Sequence, residues 1–272
     1  MANLAYFAQS ALALMGEAWF DARADPRYAM PHEAANLPDR PEGDPESALD
    51  AATRHLAATP SPGGGTALGS REVFRRRQER DLLAWARENG CLIDLAARIP
   101  DLRDGGEEHR IGTPGDHSRY WKATHPGRCG FTVVCGEETG HLPELTYALP
   151  LEYLERLRLQ NGLFADDLRL EGVALEREQL SVITSQETIL GSAVSHEEMT
   201  AFMAKLWFAP LTGLSLGRPG ALAFYRDLDE VAAFDAHPGN FVKDDNGVVL
   251  PIDLILLRAD EAMQKAFAKY LA

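Results

Sequence analysis

No apolar run in this chain of 272 residues is long enough to cross a bilayer, which takes about 20 consecutive residues in a helix. Cysteine is scarce too, limited to Cys91, Cys129 and Cys135. An odd count without close pairing argues against a disulfide framework or a zinc knuckle and suits a reducing compartment. Basic charge is in deficit, with 27 Lys+Arg against 41 Asp+Glu and a formal net charge of −14. Nucleic acid and acidic membranes, both polyanions, are therefore poor partners for the chain as a whole. What remains is ordinary globular material, 45% hydrophobic and 25% charged. It suffices for one large domain or two modest ones, with a cytoplasmic setting as the expectation.

The opening MANLAYFAQSALALMGEAWF is as apolar as a secretory signal but lacks a basic start, so an amphipathic helix is expected over residues 3–20. Prolines in PHEAANLPDRPEGDPES mark a loop, Ser47–Ala58 suits a short helix, and TPSPGGGT is linker-like. Ser70 is placed to cap a helix, REVFRRRQERDLLAWAREN, that Gly90 stops. Its expected buried stripe is Val73, Phe74, Leu82, Leu83 and Trp85. Arg75, Arg76, Arg77 and Arg80 suit a solvated face better than a phosphate site.

From Asp101 to Val134, Gly/Pro turns separate short stretches that suggest hairpin strands. ALPLEYLERLRLQNGLF follows as a helix with Pro150 near its start. LRLEGVALEREQLSVITSQETILG reads as two strands joined around Glu176–Gln179. Ser195 and Glu198 form a capping box, VVLPIDLILL is a strand, and DEAMQKAFAKYLA is a terminal helix.

The chemistry concentrates in DAHPGNFVKDDNGVVLPID, residues 235–253. Phosphoryl transfer needs a carboxylate beside the attacking hydroxyl, oxygen ligands for Mg²⁺ and a cation on the phosphates. A Pro-Gly turn lets Asp235 and Asn240 face one pocket, and Asp253 follows the turn Asp244–Gly247. An amide oxygen and a carboxylate brought together make a hard-cation site. Taken singly, HPGN and DDNG are simply good turns. The order matters because a charge inside VVLPIDLILL is costly without a partner.

This loop resembles the catalytic loop and metal-binding strand of aminoglycoside-phosphotransferase-like kinases, which follow D-x-H-x-x-N with a later I-D pair. More closely, the chain resembles the Ser/Thr/Tyr-kinase-like domain of bacterial and phage polyvalent proteins. The resemblance rests on LLAWARENG, EEHR, YWKATHPG, PLEYLERLRLQNGLFADDLRLEG, VITSQ and DAHPGN, roughly residues 71–258. It implies an α+β, two-lobed protein-kinase-like fold. Residues 1–100 would be a helical extension, 101–186 an N-lobe-like sheet and helix, and 187–272 a C-lobe-like catalytic half. It also implies ATP and Mg²⁺, with the hydroxyl of a protein or small molecule as acceptor. Asp235 would orient or deprotonate that hydroxyl, Asn240 and Asp253 would bind Mg²⁺, and Lys122 would pair with the nucleotide phosphates. Glu152 or Glu155 would hold Lys122. VITSQET, with Gln186, would form the strand and hinge beside the adenine. Gly105 and Gly106 would allow close approach to phosphates, or form a plain turn.

The pattern has departures. No G-x-G-x-x-G motif occurs, Ala233–Phe234 precede Asp235, and Leu254 follows Asp253. Nineteen residues follow Asp253, too few for an activation segment and substrate-binding helices, so the helices of residues 3–89 are expected to close on the Asp235 loop instead. The alternative is a pseudokinase, a nucleotide-sensing or protein-binding module. A hydrolytic metalloenzyme using His109, His117, Asp235 and His237 is a third reading, but their spacing follows no zinc motif.

Overall fold

The computed structural model describes residues 47–58, 68–114, 118–136 and 139–271, with backbone alone for residues 68–70. The helix expected over residues 3–20 and the linker TPSPGGGT lie outside the described residues.

Ser47 caps α1 (Ala48–Ala57), its hydroxyl accepting from Asp50 N at 3.1 Å. The next helix, α2, spans Leu68–Glu88, so Ser70 lies inside it and does not cap it. Its buried stripe is Arg71, Gln78, Leu82 and Trp85, whereas Val73 is 70% exposed. The expected stripe was too apolar because α2 lies over the start of α4 (Pro150–Phe164), where backbone N–H groups and an acidic residue need polar partners. Gln78 Oε1 accepts from Leu151 N at 3.0 Å, and Arg71 forks onto Glu152. Arg75, Arg76 and Arg77 pair with Glu72, Glu79 and Asp81 along α2 itself; Arg76 and Arg77 lie on the solvated face expected, whereas Arg75 is half-buried and also donates to Gly127 O at 3.0 Å.

After the short α3 (Leu95–Arg98) the chain forms β1 (Arg103–Asp104), β2 (His109–Gly112), β3 (Arg119–Thr124) and the hairpin β4 (Phe131–Val134) and β5 (Glu144–Tyr147). Then come α4, β6 (Arg169–Glu176) and β7 (Gln179–Glu187), whose turn falls where the sequence put it. β1, β2, β3, β7 and β6 lie side by side in that order as one antiparallel sheet. Its alternation sorts the faces. Trp121, Ala123, Ala174 and Ile183 pack with Leu95 and Ile99 of the α3 region, while Val173 and Val182 pack with α1, α2 and α4.

Gly172 marks a register shift in β6, along whose outer edge the stretch Cys91–Ile93 makes a short parallel bridge. A Cβ there would stand 2.1 Å from Cys91 O, at φ +154°. Gly172→Ala is expected to cost about 2–3 kcal/mol through backbone strain and overpacking. It should lower the urea midpoint at unchanged m-value.

The second half contains β8 (Gly191–Ala193), α5 (His196–Lys205), β9 (Ala209–Pro210), β10 (Leu222–Arg226), β11 (Val231–Ala236), β12 (Phe241–Asp244), β13 (Val249–Pro251), β14 (Ile255–Arg258) and α6 (Glu261–Phe267). Ser195 and Glu198 form the capping box of α5, as expected. A four-stranded sheet runs β14-β11-β10-β9 and a smaller one β13-β12-β8. VVLPIDLILL is not one strand. It breaks into β13 and β14, and Asp253 occupies the bend between them.

α4 begins with Pro150 and with Glu152 reaching back to Leu149 N at 2.8 Å, and it ends on left-handed Ala165. Leu151, Leu154 and Leu157 join the core with α1 and α2, and Leu159, Leu163 and Phe164 join the core with α5 and β11. One helix is therefore shared by both halves. α1 and α2 pack on α4 and β6, and their core includes no residue of the Asp235 loop. The expected closure of the preceding helices on that loop is corrected for the described residues: their ionic partners outside α1 and α2 lie on α4, and their apolar partners on α4, β6 and β7. The chain is an α+β protein with several antiparallel sheets. Among the described residues no helix is long and apolar enough to cross a membrane.

Candidate active site

Asp235 stands on a β-bulge. Leu222 pairs with Ala236 but Phe224 with Ala233, so β11 carries an extra residue there. Asp235 takes φ +57°, a left-handed conformation that aspartate tolerates better than most residues. The bulge turns its carboxylate out of the ladder, where Oδ1 accepts from Arg218 N at 2.7 Å. His237, Pro238 and Gly239 then fold into a tight turn, with His237 Nδ1 accepting from Gly239 N at 3.1 Å.

Asn240 closes the arrangement. Its Nδ2 donates to Asp235 O at 2.9 Å, to Asp253 O at 2.7 Å and to Asp235 Oδ2 at 3.3 Å. Lys122, on β3 of the five-stranded sheet, donates to Ile252 O at 3.0 Å. Four candidate residues, Lys122, Asp235, Asn240 and Asp253, thus meet at one place.

The partners assigned to Lys122 do not. Glu152 is taken by Arg71 at 2.6 Å and by the helix N-terminus, and Glu155 points to solvent. The helix face toward the site carries Tyr153, Arg156 and Gln160, three and four residues apart. Gln186 is buried and donates to Asp166 Oδ2 at 2.7 Å, so its side chain is spent on a structural contact. Gly105 and Gly106 form the β1–β2 hairpin turn. A Cβ on Gly105 would meet Ile111 at 2.4 Å, and Gly106 O accepts from His125 Nε2 at 2.9 Å. Both glycines have local structural reasons to be there.

Arg156 is the residue that sequence reasoning missed. Only 4% exposed, it donates from Nε to Leu254 O at 2.8 Å, from Nη1 to Glu108 Oε1 and Oε2 at 2.9 and 2.8 Å, and from Nη2 to Asp253 Oδ1 at 2.9 Å. A signal existed: Arg156 lies on the same helical face as Tyr153, Leu157 and Gln160, inside a stripe that is otherwise buried. Glu108, which also accepts from Phe131 N at 2.8 Å, carried no such signal in its Gly-rich turn.

Glu108, His109 and Asp253 bring three ligand atoms within 4.8 Å of one another. The place is already held by a cation, because the Arg156 guanidinium bridges both carboxylates. His109 Nδ1 lies 3.7 Å from Glu108 and 3.9 Å from Asp253, beyond hydrogen-bond reach. Burial pushes His109 down to about 3, so at neutral pH it is uncharged, with Nε2 2.9 Å from Tyr153 OH. A zinc site on His109, His117, Asp235 and His237 finds no support among the described residues. His109 faces Asp253, His237 stands 3.9 Å from Asp235, and His117 lies outside the described residues.

The two aspartates titrate in opposite directions. Burial raises Asp235, reinforced by nearby Asp253 and opposed by Arg218 N and His237. Burial would raise Asp253 too, but Lys122 and Arg156 outweigh it and hold this carboxylate well below its ordinary range. At neutral pH Asp253 is thus a fixed anion between two cations.

Gly217, at φ +95°, lets the loop before β10 approach Asp235: a Cβ there would stand 2.4 Å from Asp235 Oδ1. Gly217→Ala is expected to displace that carboxylate. If Asp235 acts in catalysis, turnover falls about 100-fold, the scale for a misplacement near 1 Å. The left-handed φ adds strain of about 1–2 kcal/mol, so the melting temperature should fall by a few degrees, which a parallel melt and activity assay would check.

No protein-family model, no curated protein and no solved structure matches this chain.

Proposed function

We propose that the chain is an atypical kinase-like phosphotransferase that moves the γ-phosphoryl group of ATP, with Mg²⁺, to a hydroxyl of a protein or small molecule. The observation that carries this reading is the convergence of Lys122, Asp235, Asn240 and Asp253, joined through hydrogen bonds to Ile252, Asp235 and Asp253 backbone oxygens. The strand order supports a two-lobed kinase-like fold, with 101–186 as the N-lobe-like part and 187–272 as the C-lobe-like part. Lys122 lies on the central strand of the five-stranded sheet, and α4 follows that strand and its hairpin before the last two strands.

In this reading Lys122 binds the nucleotide phosphates, and Asp235 orients the acceptor hydroxyl and takes its proton. Asn240 and Asp253 are the residues to hold Mg²⁺. Nδ2 of Asn240 faces the chain, which turns Oδ1 the other way, and Asp253 Oδ2 accepts no hydrogen bond among the described residues. An amide oxygen and a carboxylate oxygen are the hard ligands Mg²⁺ takes, usually with phosphate oxygens and water. Bound there, Mg²⁺ would offset the charge developing on the phosphates. Since burial raises Asp235, transfer should increase with pH through a midpoint above the ordinary aspartate value of 3.8. A midpoint at or below that value would remove Asp235 from the role of base.

A second reading, the pseudokinase, is favoured by one observation. Arg156 already lies on Asp253, and the hollow lined by Lys122, Arg156, Thr184 and Asp253 has a volume of only about 10 Å³. Small-molecule pockets run to roughly 300–1,000 Å³. A wider open hollow lies on the other face of the sheet beside Trp121 and Arg98, remote from Asp235 chemistry. Thermal shift with ATP and Mg²⁺, followed by turnover of γ-labelled ATP, separates the two readings. Binding with turnover supports the transferase, and binding without turnover supports the module.

A further inference from the structure

We infer that Arg156 and Glu108 form a positioning pair that sets how tightly Asp253 takes a divalent cation. Arg156 holds Asp253 Oδ1 and leaves Oδ2 to the cation, while Glu108 balances the charge of Arg156. The inference rests on the phosphotransferase reading and extends it to the control of that site.

Three of the four contacts of Arg156 are independent of Asp253: one to Leu254 O and two to Glu108. Leu254 O and Glu108 therefore fix the guanidinium, and its Nη2 faces Asp253. Glu108 is fixed in its own right by Phe131 N. Around the bend, Lys122 and Arg156 face Glu108 and Asp253, two cations against two carboxylates. His109 stands between them, and Tyr153, also buried, holds its far nitrogen. Glu108 is thus the counter-charge that keeps Arg156 from repelling a metal ion. Without Glu108, the full charge of Arg156 falls on Asp253 and competes with any cation there.

Mn²⁺, a spectroscopic stand-in for Mg²⁺, is titrated into the full chain with a non-hydrolysable ATP analogue, against the analogue alone as a blank because it binds Mn²⁺ itself, and free Mn²⁺ is read by electron paramagnetic resonance. Glu108→Gln is expected to weaken Mn²⁺ binding about tenfold. The double variant Glu108→Gln/Arg156→Met is expected to recover affinity to within about threefold of wild type, because removal of the unbalanced charge reverses the loss. Two merely structural lesions would instead add. Wild-type affinity in Glu108→Gln, or weaker binding in the double variant than in the single, overturns the inference and leaves the phosphotransferase reading standing. Absence of Mn²⁺ uptake by the wild type overturns both. Should Glu108→Gln not fold, Arg156→Met is compared with the double variant. The two are expected to agree within about threefold, because Glu108 acts on the cation through Arg156, and a tenfold difference overturns the inference.

Discussion

Asp235→Asn is expected to reduce phosphoryl transfer from ATP by about 10²- to 10⁴-fold, the range for loss of a positioned general base. The change keeps the size of the side chain and an oxygen that can accept from Arg218 N, so the bulge survives. Nucleotide-induced thermal shift should remain within a degree or so of wild type, because Asp235 does not touch Lys122 or Asp253 oxygens directly and the loss is confined to the transition state. Lys122→Ala should behave differently and lower both binding and turnover, since its ammonium serves the phosphates in ground and transition states alike. Undiminished transfer by purified Asp235→Asn would sink the proposed mechanism, whatever the fate of the fold.

Arg156→Ala is expected to be the most destabilising single substitution at the site, by about 3–5 kcal/mol, as when one partner of a buried ion pair is removed. It leaves Glu108, at 12% side-chain exposure, without its cation and with Oε2 empty, Leu254 O without its donor, and Asp253 leaning on Lys122. Urea denaturation would show the loss as a lower midpoint. Replacing both partners, Glu108 by Gln and Arg156 by Met, should recover most of the stability, because an uncharged pair of similar volume avoids the penalty of burying ions. A loss below about 1 kcal/mol in Arg156→Ala would mean that solvent reaches the pair freely and that its burial is overstated.

The local elements were legible where short-range chemistry decides them. Ser47, Pro150, and Ser195 with Glu198 mark helix starts, and each does so through a hydrogen bond or ring within one turn. The β6–β7 hairpin was legible from its polar turn. The Asp235–Asn240–Asp253 grouping was legible too, because its parts lie within nineteen residues of sequence. What escaped depends on distant packing. Val73 is apolar yet exposed, since α2 turns Arg71 and Gln78 toward the start of α4. The strands β10 and β11 are apolar on both faces, so VAAF carries no alternation to betray a sheet. Arg156 lies 48 residues from Glu108 and 97 from Asp253. A lone arginine among leucines gives no hint of either partner until the helix is seated.

The double anchoring of α4 limits how the site can respond. Leu154 is locked in one core and Leu159 in the other, so the helix is clamped on both sides of Arg156. Rolling or sliding α4 would disrupt both sets of packed side chains at once, each resisting volume change on the scale of a single methylene. Adjustment around Asp253 is therefore left to side-chain rotamers, which rearrange far faster than a swinging helix. Evolution meets the same constraint. The polarity of this position can be rewritten by exchanging residues, whereas inserting even one residue into α4 between Leu154 and Leu159 would rotate one core against the other by about 100°.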